Sequence, residues 1–295
     1  MAAAKGKMRA LIAGAGGQLG RSLQVVLQEK NFQFLPLSSS ELDITNLPQV
    51  LEVVESANVD VILNAAAYTD VEAAEFESEK AFEINETGAR NLAIAARENN
   101  LKVMHFSTDY VFSGARSTPW LIDSEVNPLS EYGKSKLAGE IAIRQECPDN
   151  SLIIRTAWLY SPYGRNFFKT MLNLALTDSG SINVVNDQLG QPTNANDLAH
   201  LAISALQNNV PAGIYHGTNS GSATWYDFAI AIFQLAGADI NRINAVGSNE
   251  YPSKVTRPGY SVLDNSKWAQ FDIMQLGSWQ ESVKHAFPAL YESLS

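Results

Sequence analysis

The sequence predicts an α/β fold, a doubly wound parallel sheet with a smaller, discontinuous C-terminal lobe. Three observations predict it. Apolar runs of strand length alternate with stretches of helical spacing along the first half of the chain. Those runs are continuously apolar, as strands covered on both faces must be. A glycine-rich loop joins the first strand to the first helix.

Met8–Ala13 is the first strand, and Gly14-Ala-Gly-Gly-Gln-Leu-Gly20 follows it at once. Residues 21–30 carry Leu23, Val26 and Leu27 at helical spacing. Phe32–Leu37 is the second strand, Leu47–Ala57 a helix and Val59–Leu63 the third strand, which runs into Asn64-Ala-Ala-Ala67. Glu79–Asn99, rich in alanine, is predicted as one long helix. Lys102–Phe106 is the fourth strand and ends in Ser107-Thr-Asp-Tyr-Val-Phe112. Ser130–Gln145 is a helix and Ser151–Ile154 the fifth strand. After about Ala157 the alternation loosens. A Tyr/Pro/Gly loop and an apolar helix fill residues 158–181, and a strand (Ile182–Val185) and two helices (Asn196–Leu206, Trp225–Leu235) follow. Residues 247–259 read as loop. The predicted division is residues 1–157 plus about 182–216 for the sheet domain, and about 158–181 and 217–295 for the smaller lobe.

Composition narrows the function classes. With 45% hydrophobic and 18% charged residues, the balance is that of a soluble globular chain. No apolar run approaches the length of a membrane span. Residues 1–7 have no apolar core between their lysines and the first strand, so they read as a short extension rather than a secretory signal. A single cysteine, Cys147, forbids an intrachain disulfide and fits a reducing, cytoplasmic setting. The formal charge of −10 disfavours nucleic-acid binding, which draws on phosphate neutralisation by Lys and Arg. The histidines are His105, His200, His216 and His285; they show no metal-ligand spacing, so no metal is expected.

The glycine loop carries the first specific chemistry. A strand, a tight glycine turn and a helix form the Rossmann-like arrangement, in which the turn needs backbone freedom and the helix N-terminus takes a pyrophosphate. The spacing here is G-x-x-G-x-x-G, through Gly14, Gly17 and Gly20, with Gly16 as a fourth glycine. Gly14, Gly17, Gln18, Leu19 and Gly20 are therefore expected at the phosphates of a dinucleotide. Where NAD-binding sheets place an acid after the second strand, this chain has Ser38-Ser-Ser40 and no acid before Glu41. Hydroxyls without a carboxylate suit a 2′-phosphate, so NADPH is expected ahead of NADH, with Ser38 at that end and Asp43 and Ile44 near the adenine.

Tyr132 and Lys136 are four residues apart and share one helix face. A phenol with a pKa near ~10 exchanges protons poorly at neutral pH. An adjacent ammonium favours the phenolate and can tune it into a general acid. Lys134 lies off that face. Ser107-Thr108-Asp109-Tyr110 falls at the carboxyl end of a strand, where open parallel sheets bind ligands. A Thr108 hydroxyl there can hold a substrate carbonyl.

With these residues in view, the chain resembles the extended short-chain dehydrogenase/reductase family. The resemblance is carried by the glycine loop, Asn64-Ala-Ala-Ala-Tyr-Thr69, Ser107-Thr-Asp-Tyr-Val-Phe112, Tyr132-x-x-x-Lys136 and Arg155-Thr-Ala-Trp158. Asn186-Asp-Gln-Leu-Gly-Gln-Pro-Thr193, Thr224-Trp-Tyr-Asp-Phe228 and Arg257-Pro258 narrow it to reductases of dTDP-linked keto sugars. The resemblance implies NADPH-dependent reduction of the C4 ketone of dTDP-6-deoxy-L-lyxo-4-hexulose to dTDP-L-rhamnose. It implies Tyr132 as proton donor, Lys136 as the group that lowers its pKa and binds the nicotinamide ribose, and Thr108 as the third catalytic member. It places Asp109, Tyr110 and Trp158 on the sugar, Ala66, Ala67 and Thr69 along the cofactor, and Arg257 at the diphosphate.

One departure bears on assembly. Some relatives dimerise through magnesium held by glutamates; the matching positions here are Ser22 and Asn196. A hard cation wants carboxylate oxygens, so a monomer or weak dimer without a magnesium bridge is expected. Two other readings stay open. One is a nucleotide-sugar epimerase or dehydratase, although a dehydratase would carry an Asp-Glu pair where this chain has Asp109-Tyr110. The other is a partner-binding subunit like the regulatory subunit of methionine adenosyltransferase.

Overall fold

The computed structural model describes residues 8–294, apart from 178, 251, 252 and 254. The extension at residues 1–7, and part of the expected loop at 247–259, lie outside the described residues.

The parallel sheet is built as the apolar runs require. β1 (Arg9–Ala13), β2 (Gln33–Leu37), β3 (Val61–Asn64), β4 (Lys102–Thr108) and β5 (Ser151–Thr156) all enter it. With β10 (Gly213–His216) as the sixth strand, its order is β10-β5-β4-β3-β1-β2, and every pairing is parallel. Pro36 lies in β2, where the missing N–H costs no ladder bond because β2 is an edge. The sixth strand, Gly213–His216, was not among the strands predicted; its four residues hold a Tyr and a His and make no apolar run.

Helices cover both faces. α1 (Gln18–Glu29) and α8 (Ala195–Gln207) pack on one, through Leu23, Val26, Leu198 and Leu201. α2 (Leu47–Ala57), α5 (Ala89–Glu98) and α6 (Glu131–Glu146) pack on the other, through Val50, Leu92 and Ile143. Asn46 caps α2 by accepting from Gln49 N, and Ser130 caps α6 by accepting from Gly133 N. The sheet reverses its order between β1 and β3, so their carboxyl ends diverge and open a crevice.

The expected single helix at 79–99 is divided. A short α3 (Val71–Ala74) precedes it, α4 covers Ser78–Phe82, and Glu83–Gly88 forms a π-helical segment before α5. The wider turn faces Asn85 and Gly88 inward. A Cβ at Gly88 would come 2.5 Å from the Ile44 side chain, so this face of the helix touches the loop after β2.

A second core lies outside the sheet, made by α7 (Phe167–Thr177), α9 (Trp225–Leu235) and α10 (Trp279–Glu292) around Phe168, Phe228, Phe233 and Trp279. Short pairings border it: β6 (Leu159–Tyr160) with β9 (Thr193–Asn194), and β8 (Leu189–Gly190) with β11 (Ala223–Thr224). β7 (Ile182–Val185) pairs with β12 (Ile243–Val246), not with the sheet alongside which the sequence grouped it. Among the described residues no helix is long and apolar enough to cross a membrane.

Candidate active site

The crevice beside β1 is shaped by close backbone packing. Gly14 sits at φ 79°, and a Cβ there would come 2.5 Å from the Ala66 nitrogen. A Cβ at Gly20 would come 2.2 Å from the Gly14 carbonyl, so the start of α1 presses on the turn. α1 begins with no side-chain cap, which leaves its first N–H groups open toward the turn. The cleft encloses about 560 Å³ and is lined by Gly14, Gly17, Ser38, Asp43, Ile44, Ala66, Ala67 and Thr69 of the expected cofactor residues. Gln18, Leu19 and Gly20 do not line it. Leu19 is buried in the core, and Gln18 Oε1 accepts from Ser161 Oγ (3.1 Å) and Asn166 Nδ2 (2.9 Å), which ties the glycine turn to the segment before α7.

The expectation that no carboxylate reaches Ser38 is corrected. Glu41 N and Leu42 N donate to the Ser38 carbonyl, and this turn brings the Glu41 carboxylate back. Its Oε2 accepts from Ser38 N at 2.8 Å and Ser38 Oγ at 2.6 Å, which holds its pKa below the usual range. Asp43 is also engaged, accepting from Thr45 N and Oγ1.

The second part of the site lies at the ends of β4 and β5. Thr108 pairs in register with Thr156 and caps a 3₁₀ turn at Asp109–Val111 by accepting from Tyr110 N at 3.2 Å. Its hydroxyl donates to Asp109 Oδ1 at 3.0 Å. Burial pushes the Asp109 carboxyl up to about 6. A Cβ at Gly133 would come 2.4 Å from the Tyr110 carbonyl, so only glycine lets the first turn of α6 seat against this turn. That seating brings Tyr132 to Thr108 and sets its ring edge-on to Tyr110, 5.5 Å between centroids. Burial pushes the Tyr132 phenol up, and a hydrogen bond with Thr108 opposes this.

Lys136 is buried, and burial pulls its amine down to about 8. It donates to the Phe106 carbonyl at 2.7 Å. Among the described residues, three buried side-chain atoms here find no hydrogen-bond partner: Ser107 Oγ, Asp109 Oδ2 and Thr156 Oγ1. Buried polar groups are rarely left so, and all three belong to the carboxyl ends of adjacent strands, which is where a ligand would satisfy them.

Trp158 follows β5 with φ at 46°, a left-handed conformation uncommon for a bulky residue. It stacks on Trp225 at 3.6 Å between centroids, over Gly190. Arg257 stands beside Tyr110, whose phenol burial pushes up to about 12, and pairs with Glu72 at 3.3 Å. Ser22 is buried within α1, and Asn196 lies in the first turn of α8.

Sequence reasoning missed several residues that build the site. Asn85, turned inward by the π-helical segment, accepts from Tyr68 N (2.8 Å) and donates to the Tyr68 carbonyl (3.0 Å) and Ser135 Oγ (2.9 Å). It thereby ties the cleft beside β1 to α6. Glu140 and Arg155 form a buried bidentate ion pair between α6 and β5. Arg155 opens the Arg155-Thr-Ala-Trp158 motif, but nothing in its spacing points to Glu140.

Comparison with known proteins follows the same lines. Residues 8–292 match the profile of the family described as RmlD substrate binding domain. A dTDP-4-dehydrorhamnose reductase of Aggregatibacter actinomycetemcomitans is 42% identical over 288 residues, spanning 94% of this chain and 97% of that one. A dTDP-4-keto-6-deoxy-D-glucose reductase of Streptomyces niveus is 38% identical, spanning 96% and 97%. The crystal structure of dTDP-4-dehydrorhamnose reductase from Bacillus anthracis in complex with NADP superposes with a TM-score of 0.92 at 37% identity, covering 96% of this chain and 99% of that one.

Proposed function

The chain belongs to the RmlD substrate-binding-domain family, and from that premise we propose that it reduces the C4 ketone of dTDP-4-dehydrorhamnose to dTDP-L-rhamnose with NADPH. The observation that carries the reading is that Tyr132 reaches Thr108 and Lys136 reaches the Phe106 carbonyl at the same strand ends where Ser107, Asp109 and Thr156 hold unsatisfied atoms. The relatives named for this activity support it along nearly their whole length.

The residues fit the cofactor. The turn at Gly14 and Gly20 has no room for a Cβ, and the open N-terminus of α1 suits a pyrophosphate. Gly14, Gly17, Ser38, Asp43, Ile44, Ala66, Ala67 and Thr69 would hold it, while Gly20 lets α1 press close on the turn. Bound there, NADPH supplies the hydride that reduces the ketone carbon. Tyr132 donates a proton to the ketone oxygen, and its raised pKa keeps the phenol protonated until charge builds there. Thr108, its hydroxyl proton turned from Asp109 Oδ1, donates a hydrogen bond to the same oxygen. Lys136 steadies the phenolate that remains and binds the nicotinamide ribose. Asp109, Tyr110 and Trp158 orient the sugar. Arg257, released from Glu72, pairs with the diphosphate through its guanidinium fork.

The division of labour follows the two cores: the sheet holds the dinucleotide, and residues of about 158–181 and 217–295 hold the nucleotide sugar. We further infer a cytoplasmic enzyme, monomeric or weakly dimeric, without a magnesium bridge, since Ser22 and Asn196 offer no carboxylate. Mixing the protein with NADPH and dTDP-4-keto-6-deoxy-L-lyxo-hexulose tests the reading. Substrate-dependent loss of the nicotinamide band with dTDP-rhamnose recovered is expected. Cofactor binding without oxidation would contradict it.

A further inference from the structure

Beneath Tyr132 and Lys136 runs a buried chain of hydrogen bonds that the reduction itself does not account for. Asn64 ends β3, and His105 lies opposite it on β4 in parallel register. Asn64, His105 and Lys136 are 2%, 1% and 2% exposed. Ala66 N donates to Asn64 Oδ1 at 3.2 Å, which fixes the orientation of the amide. The amide nitrogen therefore faces the ring, and Asn64 Nδ2 donates to His105 Nδ1 at 2.9 Å. Burial, with Lys136 adding to it, holds the imidazolium far below its ordinary range. A neutral imidazole has one donor and one acceptor. Nδ1 is the acceptor here, so the ring proton sits on Nε2.

That Nε2 lies 3.3 Å from Lys136 Nζ. An ammonium has three donors and no lone pair, so donor would meet donor; a neutral amine accepts the hydrogen. β4 offers the Phe106 carbonyl, and on α6 Tyr132 and Glu140 stand one turn away on either side. The charge of Glu140 is taken bidentately by Arg155 of β5.

We propose that Asn64 and His105 are positioning residues: Asn64 locks His105 as the Nε2–H tautomer, and that tautomer favours the amine of Lys136 over its ammonium. The consequence for catalysis rests on the reductase reading. There, the tautomer sets the pH above which Lys136 no longer carries the charge that steadies a Tyr132 phenolate. Without the lock, His105 can present Nε2 as an acceptor, and Lys136 keeps its charge to higher pH.

Nitrogen NMR of protein carrying ¹⁵N-labelled histidine reads the tautomer without any turnover. His216, the other fully buried histidine, supplies an internal contrast. Its Nδ1 lies 3.0 Å from the Asp264 carbonyl, which can only accept, so Nδ1 carries its proton. Expected is His105 protonated at Nε2 and His216 at Nδ1, with His105 assigned by its loss in His105→Gln. A His105 protonated at Nδ1, or doubly protonated at neutral pH, overturns the proposal. For the consequence, Asn64→Ala and His105→Gln should each move the alkaline limb of kcat/KM upward by about one pH unit. A limb that stays in place in both variants overturns the link to Lys136. Wild-type protein that oxidises no NADPH would instead fail the reductase reading, while the tautomer result would still stand or fall by itself.

Discussion

Lys136 and Glu140 lie one turn apart on α6, both almost wholly buried, and the fold answers their charges differently. Glu140 meets the guanidinium of Arg155 in two hydrogen bonds of 2.9 and 2.7 Å, so each buried charge is matched. Among the described residues Lys136 meets a carbonyl and an imidazole, and its amine is pulled down to about 8. Against an unperturbed 10.5, that shift corresponds to a cost of roughly 3 kcal/mol for keeping the ammonium buried. The first arrangement fixes where α6 sits on the sheet. The second leaves a titratable amine one helical turn from Tyr132.

Substitution should separate the two. Glu140→Ala leaves Arg155 buried without its partner and is expected to lose about 3–5 kcal/mol of stability, read as a fall in the chemical denaturation midpoint. Equal stability of variant and wild type would mean the pair is not structural. Lys136→Met should act the other way. Activity falls on the order of 10²-fold or more, while stability at neutral pH rises by about 1–3 kcal/mol, because a buried ammonium is gone. A Lys136→Met protein that is less stable would show that the lysine is held by favourable interactions.

The pH dependence sharpens the same contrast. The unfolded amine stays protonated up to its ordinary value, the folded one only to about 8. Between these, unfolding takes up a proton, so wild-type stability rises with pH. The gap between wild type and Lys136→Met should therefore be full below pH 8 and close as pH rises toward 10.5. A gap independent of pH would remove Lys136 as its source. Activity that needs the ammonium should fall as pH rises through about 8.

Much of this was legible in local pattern. Periodicity located β1 to β5, α2 and α9, and the spacing of Tyr132 and Lys136 put them on one helix face. The glycines marked the turn because close approach of backbone admits little else. What escaped detection depends on contacts distant in sequence. The π-helical segment that turns Asn85 inward has no composition of its own. The helix at Trp279–Glu292 contains Pro288, which argues against a helix on sequence alone. Glu41 reads as lying beyond the cofactor end of β2 until the turn folds it back on Ser38. His105 looks like one more residue of an apolar strand; only the parallel register sets Asn64 beside it and Lys136 above it.

In the proposed reduction the phenol of Tyr132 supplies the proton to the ketone oxygen. Turnover of NADPH with dTDP-4-keto-6-deoxy-L-lyxo-hexulose should be compared between wild type and Tyr132→Phe, alongside calorimetric binding of dTDP-rhamnose to both. The expected result is a fall of about 10²–10⁴-fold in kcat with sugar-nucleotide binding retained. Near-normal turnover by Tyr132→Phe would contradict the account.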